Sequence, residues 1–429
     1  MLKTVDRHIA PEIKDIESLN IVEPNQYTLS NGVSVFSFDV SDQDFIKIEI
    51  NFDAGTIQSD KALVAGICNK LLTEGTKKHS SQEIATKIDS YGGFFETSLT
   101  NDVASIALYT LNKHLENTLP ILAEVIQEPV FDANELNIHL AQKQNEFLVN
   151  SERVGYVARA NFPAVIFGDN HPYGRVLKIE DFDQLNRDDI IDFHSRYYLK
   201  GNFRIFMSGK LAPNTISLLE KYFSSMLLNT NPQAEKSFVI ASSNKMSHSI
   251  AKEQAVQNAI RIGKPIVNRA HADFNGLRIL NTILGGYFGS RLMSNIREDK
   301  GYTYGIGSGL MSMQHASFFF ITSEVKAEVS KLAIDEIIKE IEILQTQEVG
   351  AEELSLVKNY LQGNFQRSFD GPFALLDRFK EVYYSNLDYG YFNNYIELVK
   401  SIRSEDLLAL ANKYLNIEEL YKLNVGKID

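Results

Sequence analysis

The spacing of apolar and polar positions changes several times along the chain, and each change marks an element. Ile46, Ile48, Ile50 and Phe52 alternate with Lys47, Glu49 and Asn51, the period of a half-buried strand. Upstream, LSNGVSVF sets Asn31 and Gly32 between extended residues and predicts a hairpin turn. Between Asp60 and Gly75 the period becomes helical, with Val64, Ile67, Cys68, Leu71 and Leu72 on one face; Asp60 is expected to cap the start and Gly75 to suit the end. Phe94 to Thr97 and Val103 to Thr110 read as the next strands, and Asp132 with Glu135 makes a capping-box-like start to a helix running past Glu146. Further on, Ser290 is expected to cap a helix that Gly301 ends, which puts Arg297 in its last turn. From Tyr302 the period is two again: Tyr302, Tyr304, Ile306, Ser308 and Leu310 on one face, Thr303, Gly305, Gly307 and Gly309 on the other. Three glycines on one strand face invite close approach by another backbone. On residue chemistry alone Arg297 reads as a surface ion-pair partner and Tyr304 as a half-buried aromatic.

One pattern occurs twice. RDDIIDFHSRYYLKGNFRIFMSGK at 187–210 aligns without gaps with SEDLLALANKYLNIEELYKLNVGK at 404–427, matching Asp189 with Asp406, Tyr197 with Tyr414, Gly209 with Gly426 and Lys210 with Lys427. Each copy reads as a capped helix, a turn and a strand ending at glycine, so the chain is expected to be a duplication. The polar, Ser- and Asn-rich stretch 229–247 reads as a linker between domains at 1–228 and 248–429. Helices and antiparallel hairpins mix in both halves, which makes the class α+β.

Charge and composition then narrow the chemistry. The chain has 43 Lys+Arg against 55 Asp+Glu and a formal net charge of −12, with no dense basic cluster, so nucleic acid is not an expected partner. It has neither a signal-peptide-like apolar core at its start nor any run of about 18 apolar residues, so no membrane association and a cytoplasmic location are expected. Cys68, the only cysteine, cannot build a multi-thiolate metal site; on an apolar helix face it reads as a buried small hydrophobe rather than a nucleophile. No two of the nine histidines lie within one helical turn, which excludes H-E-x-x-H and H-x-x-E-H pairs and leaves only scattered ligands open. LGGYFGSRL at 284–292 lacks the lysine and the strand-to-helix setting of a phosphate loop and reads as a turn. A compact zinc site built locally is therefore not expected, and no cofactor-binding motif stands out.

Several segments together resemble the pitrilysin/insulinase family of zinc peptidases over most of the chain. LSNGVSV is similar to the family's opening hairpin, LVAGICNKLLTEGTKKHS to its zinc-motif helix, YGGFFETSLTND to the following edge strand and NHPYGR to a further segment. SRLMSNIREDKGYTYGIGS resembles the second-domain signature, an arginine seven residues before a tyrosine. The resemblance implies two homologous α+β domains, each an antiparallel sheet with helices on one side, joined as a clamp. It also shows a departure, because the family's H-x-x-E-H falls on Gly66, Ile67, Cys68, Asn69 and Lys70. Glycine offers no ligand and a protonated lysine has no free lone pair, so both zinc-binding histidines and the glutamate base are missing. The distal zinc-ligating glutamate falls on Glu146, and the family's substrate-polarising pair on Arg297 and Tyr304.

The resemblance thus implies a non-zinc subunit of the mitochondrial-processing-peptidase-like kind. Such a chain is inactive alone and holds no stoichiometric zinc; its partner would be a zinc-bearing paralogue, its substrate a peptide or unfolded polypeptide. The edge strand with Phe94, Phe95, Glu96 and Thr97, and the glycine-lined strand after Tyr302, would bind substrate by main-chain pairing. Two other readings are open, a non-enzymatic peptide-binding or scaffold protein and a self-sufficient enzyme with unrecognised ligands. In place of the zinc bridge, either Lys70 pairs with Glu146 or both face solvent.

Overall fold

The computed structural model describes residues 21–228 and 238–428; the first part of the predicted linker, 229–237, lies outside the described residues. The first half runs β1 (Asn25–Thr28), β2 (Ser34–Asp39), β3 (Phe45–Phe52), α1 (Val64–Leu71), α2 (Ser81–Ser90), β4 (Phe94–Leu99), β5 (Ala104–Leu111), α3 (Leu115–Gln127), α4 (Ala133–Ser151), α5 (Val154–Phe167), α6 (Arg187–His194), β6 (Phe203–Gly209) and α7 (Thr215–Phe223). The second runs β7 (Ser247–Ala251), β8 (Gln257–Ile266), α8 (Phe274–Asn281), β9 (Thr303–Ser312), β10 (Ser317–Lys326), α9 (Ser330–Thr346), α10 (Ala351–Arg367), α11 (Pro372–Tyr383), α12 (Gly390–Ser401), α13 (Ser404–Tyr414) and β11 (Tyr421–Gly426).

The sheets are ordered β1-β2-β6-β3-β5-β4 and β7-β11-β8-β10-β9. Setting β1 aside, the two orders are the same, and the repeated sequence supplies equivalent pieces: α6 and β6 in one half, α13 and β11 in the other. The fold is α+β and two-domain, as the pattern predicts. Pairing is antiparallel except for one parallel pair per sheet, β2 with β6 and β7 with β11. The Asn31-Gly32 turn joins β1 to β2, with Gly32 at a φ of 91° that a side chain would resist.

Each half lends a helix to the other. On one face of the first sheet Val35, Ile46, Ile48, Ile50, Ile106 and Ile205 join the core of their own half. On its other face Phe36, Phe38 and Phe206 pack with Phe379 of α11, from the second half. Reciprocally, Val154, Ala158, Phe162 and Ile166 of α5 pack on Ala259, Leu423 and Val425 of the second sheet. This exchange corrects the reading of β3 as half-buried, because its polar face is buried as well. Lys380 of α11 reaches Glu49 at 2.8 Å, Lys47 lies 2.9 Å from the same carboxylate, and Asn51 donates to the Tyr384 hydroxyl at 3.1 Å. Burial by itself would raise the Glu49 carboxyl, but the two ammoniums outweigh it and hold it below the usual carboxylate range.

One local expectation changes. Helix α1 starts at Val64 without a side-chain cap, and Asp60 lies outside it, because a short 3-10 turn at Thr56–Gln58 and the Ser59 turn lead into the helix instead. Asp132 does cap α4, accepting from the Asn134 and Glu135 amides at 2.8 and 3.2 Å. Among the described residues no helix is long and apolar enough to cross a membrane.

Candidate functional site

Helix α1 lies against strands β4 and β5, with Gly66 and Asn69 on the side that faces them. Gly66 stands where a side chain would fit without strain: a Cβ there would meet nothing nearer than Leu99 Cδ2 at 3.5 Å. Asn69 is 3% exposed and fully engaged. Its Nδ2 donates to the carbonyls of Ser98, at 2.8 Å, and Ser105, at 3.2 Å, while its Oδ1 accepts from the Tyr198 hydroxyl at 3.0 Å. The Asn69 side chain therefore ties α1 to β4 and β5. Cys68 is buried, its thiol pushed up by burial, in keeping with a core residue.

The proposed Lys70–Glu146 contact is not made. Lys70 Nζ lies 3.5 Å from Glu74 Oε1, and Glu146 pairs with Lys143 at 2.9 Å on the exposed side of α4. Both ions use partners one helical turn away, which costs less side-chain ordering than a bridge between helices. The double-mutant cycle of Lys70→Met and Glu146→Gln should accordingly be additive in urea denaturation, to within about 0.5 kcal/mol. A larger coupling would restore the bridge.

Strand β4 forms the free edge of the first sheet, since it pairs only with β5. Phe94 is exposed and stacks on Tyr109 at 4.4 Å, and Glu96 accepts from the Tyr109 hydroxyl at 2.8 Å; Phe95 and Thr97 are half-buried on the other face. The equivalent edge of the second sheet is β9, which carries Tyr304.

Arg297 and Tyr304 reach the surface by two local devices. The helical segment opens at Ser290, whose carbonyl accepts from Ser294 N at 2.9 Å, but the buried Ser290 hydroxyl is left without a partner and so does not cap it. Its last part, Met293–Asp299, is π-helical, and Gly301 ends it at a φ of 65°. Arg297, in this final turn, lays its guanidinium over the Phe288 ring at 4.7 Å. Strict alternation along β9 fails at Tyr304: opposite Ser323 and Val325 the register shifts, a bulge that sets Tyr304 and Gly305 against one residue of β10. Thr303 pins it, its Oγ1 donating to Glu324 O at 2.7 Å and accepting from Gly305 N at 3.1 Å. Tyr304 turns outward and is 93% exposed, where alternation alone predicts a half-buried ring. Among the described residues neither its hydroxyl nor the Arg297 guanidinium makes a hydrogen bond or ion pair. Of the three glycines on this strand, Gly307 faces the Gly285 carbonyl, at 3.4 Å from an added Cβ, whereas Gly305 is open and Gly309 lies against the Phe320 ring.

Residues 35–171 match the family described as Insulinase (Peptidase family M16), and residues 184–361 match the Peptidase M16 inactive domain. The chain belongs to the insulinase family. Within this family it is 23% identical, over 90% of its length and 93% of the other's, to an uncharacterized zinc protease of Rickettsia felis. It is 23% identical, over 74% of each chain, to a Helicobacter pylori protein named non-peptidase homolog YmxG. Its fold is that of a Pseudomonas fluorescens peptidase M16 inactive domain, with a TM-score of 0.85 at 23% identity, covering 95% of this chain and 99% of that one. Helix α1 falls within the part matched by the insulinase model, and Arg297, Tyr304 and β9 fall within the part matched by the M16 inactive domain.

The bulge and the Asn69 ties are what sequence reasoning missed. A signal for the bulge was present in Thr303-Tyr304-Gly305, a hydroxyl two residues before a glycine at a strand start. The burial of Asn69 was legible only as its position among the apolar residues of α1.

Proposed function

We propose that this chain is the non-zinc subunit of a heterodimeric zinc metalloendopeptidase and that it supplies Arg297 and Tyr304 to a site completed by a zinc-bearing paralogue. The observation that carries this reading is the contrast between the two edges. At the motif helix every position is spent or blank, Asn69 being consumed by structural bonds. At and just before β9, Tyr304, on a bulge that aims it outward, and Arg297, stacked on Phe288, make no hydrogen bond or ion pair among the described residues. Peptide hydrolysis needs a metal-activated water and, separately, donors directed at the oxyanion that develops on the scissile carbonyl. This chain keeps the second set. The free edges of β4 and β9 suit an extended peptide, which would add as a strand.

The experiment is peptide hydrolysis by the pure chain, by a zinc-bearing paralogue, and by the two together. The chain alone should be inactive and the mixture should exceed the paralogue by orders of magnitude. Chelator-sensitive hydrolysis by the chain alone would overturn the reading. The name of the Helicobacter relative favours a second reading, peptide binding without catalysis; it predicts that the chain binds peptide and leaves the paralogue's rate unchanged.

A further inference from the structure

We infer that Glu74, Glu135 and His139 form a divalent-cation site that ties the end of α1 to α4. It lies along the helix pair from the lost motif and uses none of Gly66, Asn69, Lys70 or Glu146. Glu135 and His139 are one helical turn apart on α4, so they share a face; Glu74 comes from the turn after α1. One ligand atom from each residue lies within 4.8 Å of the others. The set is two carboxylates and an imidazole, hard enough for Mn²⁺ and with the nitrogen that Zn²⁺ prefers.

The local geometry is partly prepared. Tetrahedral zinc, with bonds of about 2.0–2.2 Å, spaces its ligand atoms about 3.4 Å apart. His139 Nε2 and Glu74 Oε1 already stand 3.4 Å apart, with side chains only 16% and 18% exposed. The other Glu74 oxygen is held by the Ser81 hydroxyl at 2.8 Å, which leaves Oε1 turned toward His139. Glu135, within 4.8 Å of both, need close by at most about 1.4 Å, within the reach of its own rotamers. A fourth position is left for water, as in sites with three protein ligands.

Lys70 is the competitor. Its ammonium, 3.5 Å from Glu74 Oε1, is half-exposed and free to swing into solvent when a dication takes its place. The expectation that this chain holds no stoichiometric zinc came from the motif positions, and these three residues lie outside them. The inference is also independent of the proposed function, since an ion here would bridge two helices whether or not a partner subunit exists.

The test is calorimetric titration of the chelator-stripped full-length chain with Zn²⁺ alone. One saturable site is expected. Glu135→Gln and His139→Asn should each weaken it at least about tenfold, because each removes one of three protein ligands. Glu146→Gln should leave it unchanged, and Lys70→Met should tighten it roughly three- to tenfold by removing a nearby positive charge. Circular dichroism on each variant excludes loss by unfolding. The inference fails if the wild-type chain shows no saturable binding, if folded His139→Asn binds as well as wild type, or if Glu146→Gln abolishes binding.

Discussion

Replacing Tyr304 by Phe should slow turnover of the reconstituted pair by roughly 10²–10³ while leaving subunit assembly intact. The estimate is that for removing one oxyanion donor, about 2.7–4 kcal/mol of transition-state stabilisation. The structure isolates the hydroxyl for such a test, because the ring is 93% exposed and its oxygen has no hydrogen-bond partner among the described residues. Loss of that oxygen therefore breaks no hydrogen bond among the described residues, and the bulge that aims the ring is held by Thr303, not by Tyr304. A donor used only in the transition state lowers kcat more than it raises KM. Co-elution of the two chains on size exclusion, with kcat measured at saturating peptide, separates catalysis from assembly. Unchanged kcat in the Phe variant would reject the role.

The parts of the site legible in the sequence were those written in local spacing. The duplication, the hairpin and the strand at Ile46 to Phe52 each depend on residues close together in the chain. What escaped depends on distance. Lys47, Glu49 and Asn51 looked solvent-facing because the helix that buries them comes from the other half; Lys380 and Glu49 are 331 residues apart. Periodicity reports which face is polar and is silent on what covers that face. The Lys70–Glu146 expectation failed for the opposite reason. Glu74 and Lys143 were in plain view at helical spacing, and these nearer partners capture each charge before a contact between helices can form. Tyr304 is intermediate, since its outward turn needs both the local Thr303-x-Gly305 sequence and a register against β10. The exchange of α5 and α11 explains why the duplicated halves form one unit, as neither sheet has both faces covered by its own half.

Restoring the motif should cost the chain its fold before it gains a metal. Asn69→Glu, needed to rebuild a general base, removes two N–H donors from the carbonyls of Ser98 and Ser105 and sets a longer carboxylate against them at a position 3% exposed. Unmatched buried acceptors and an uncompensated buried charge together should destabilise by about 3–5 kcal/mol, a large share of the roughly 5–15 kcal/mol typical of a domain. Urea denaturation measures it as a lowered midpoint with little change in slope. The pH dependence separates charge from size. Desolvation would raise the introduced carboxyl's pKa in the folded state above its unfolded value, so the penalty is full at neutral pH and shrinks as pH falls through the folded pKa. A penalty unchanged by acid would mean misfit alone, and a wild-type midpoint would mean that the Asn69 ties carry little stability. The ties then bear on history. Where a side chain at this position bonds both β4 and β5, any route to a ligand-bearing residue there passes through a poorly folded intermediate, so the Asn69 ties set the cost of the change before any metal can offset it.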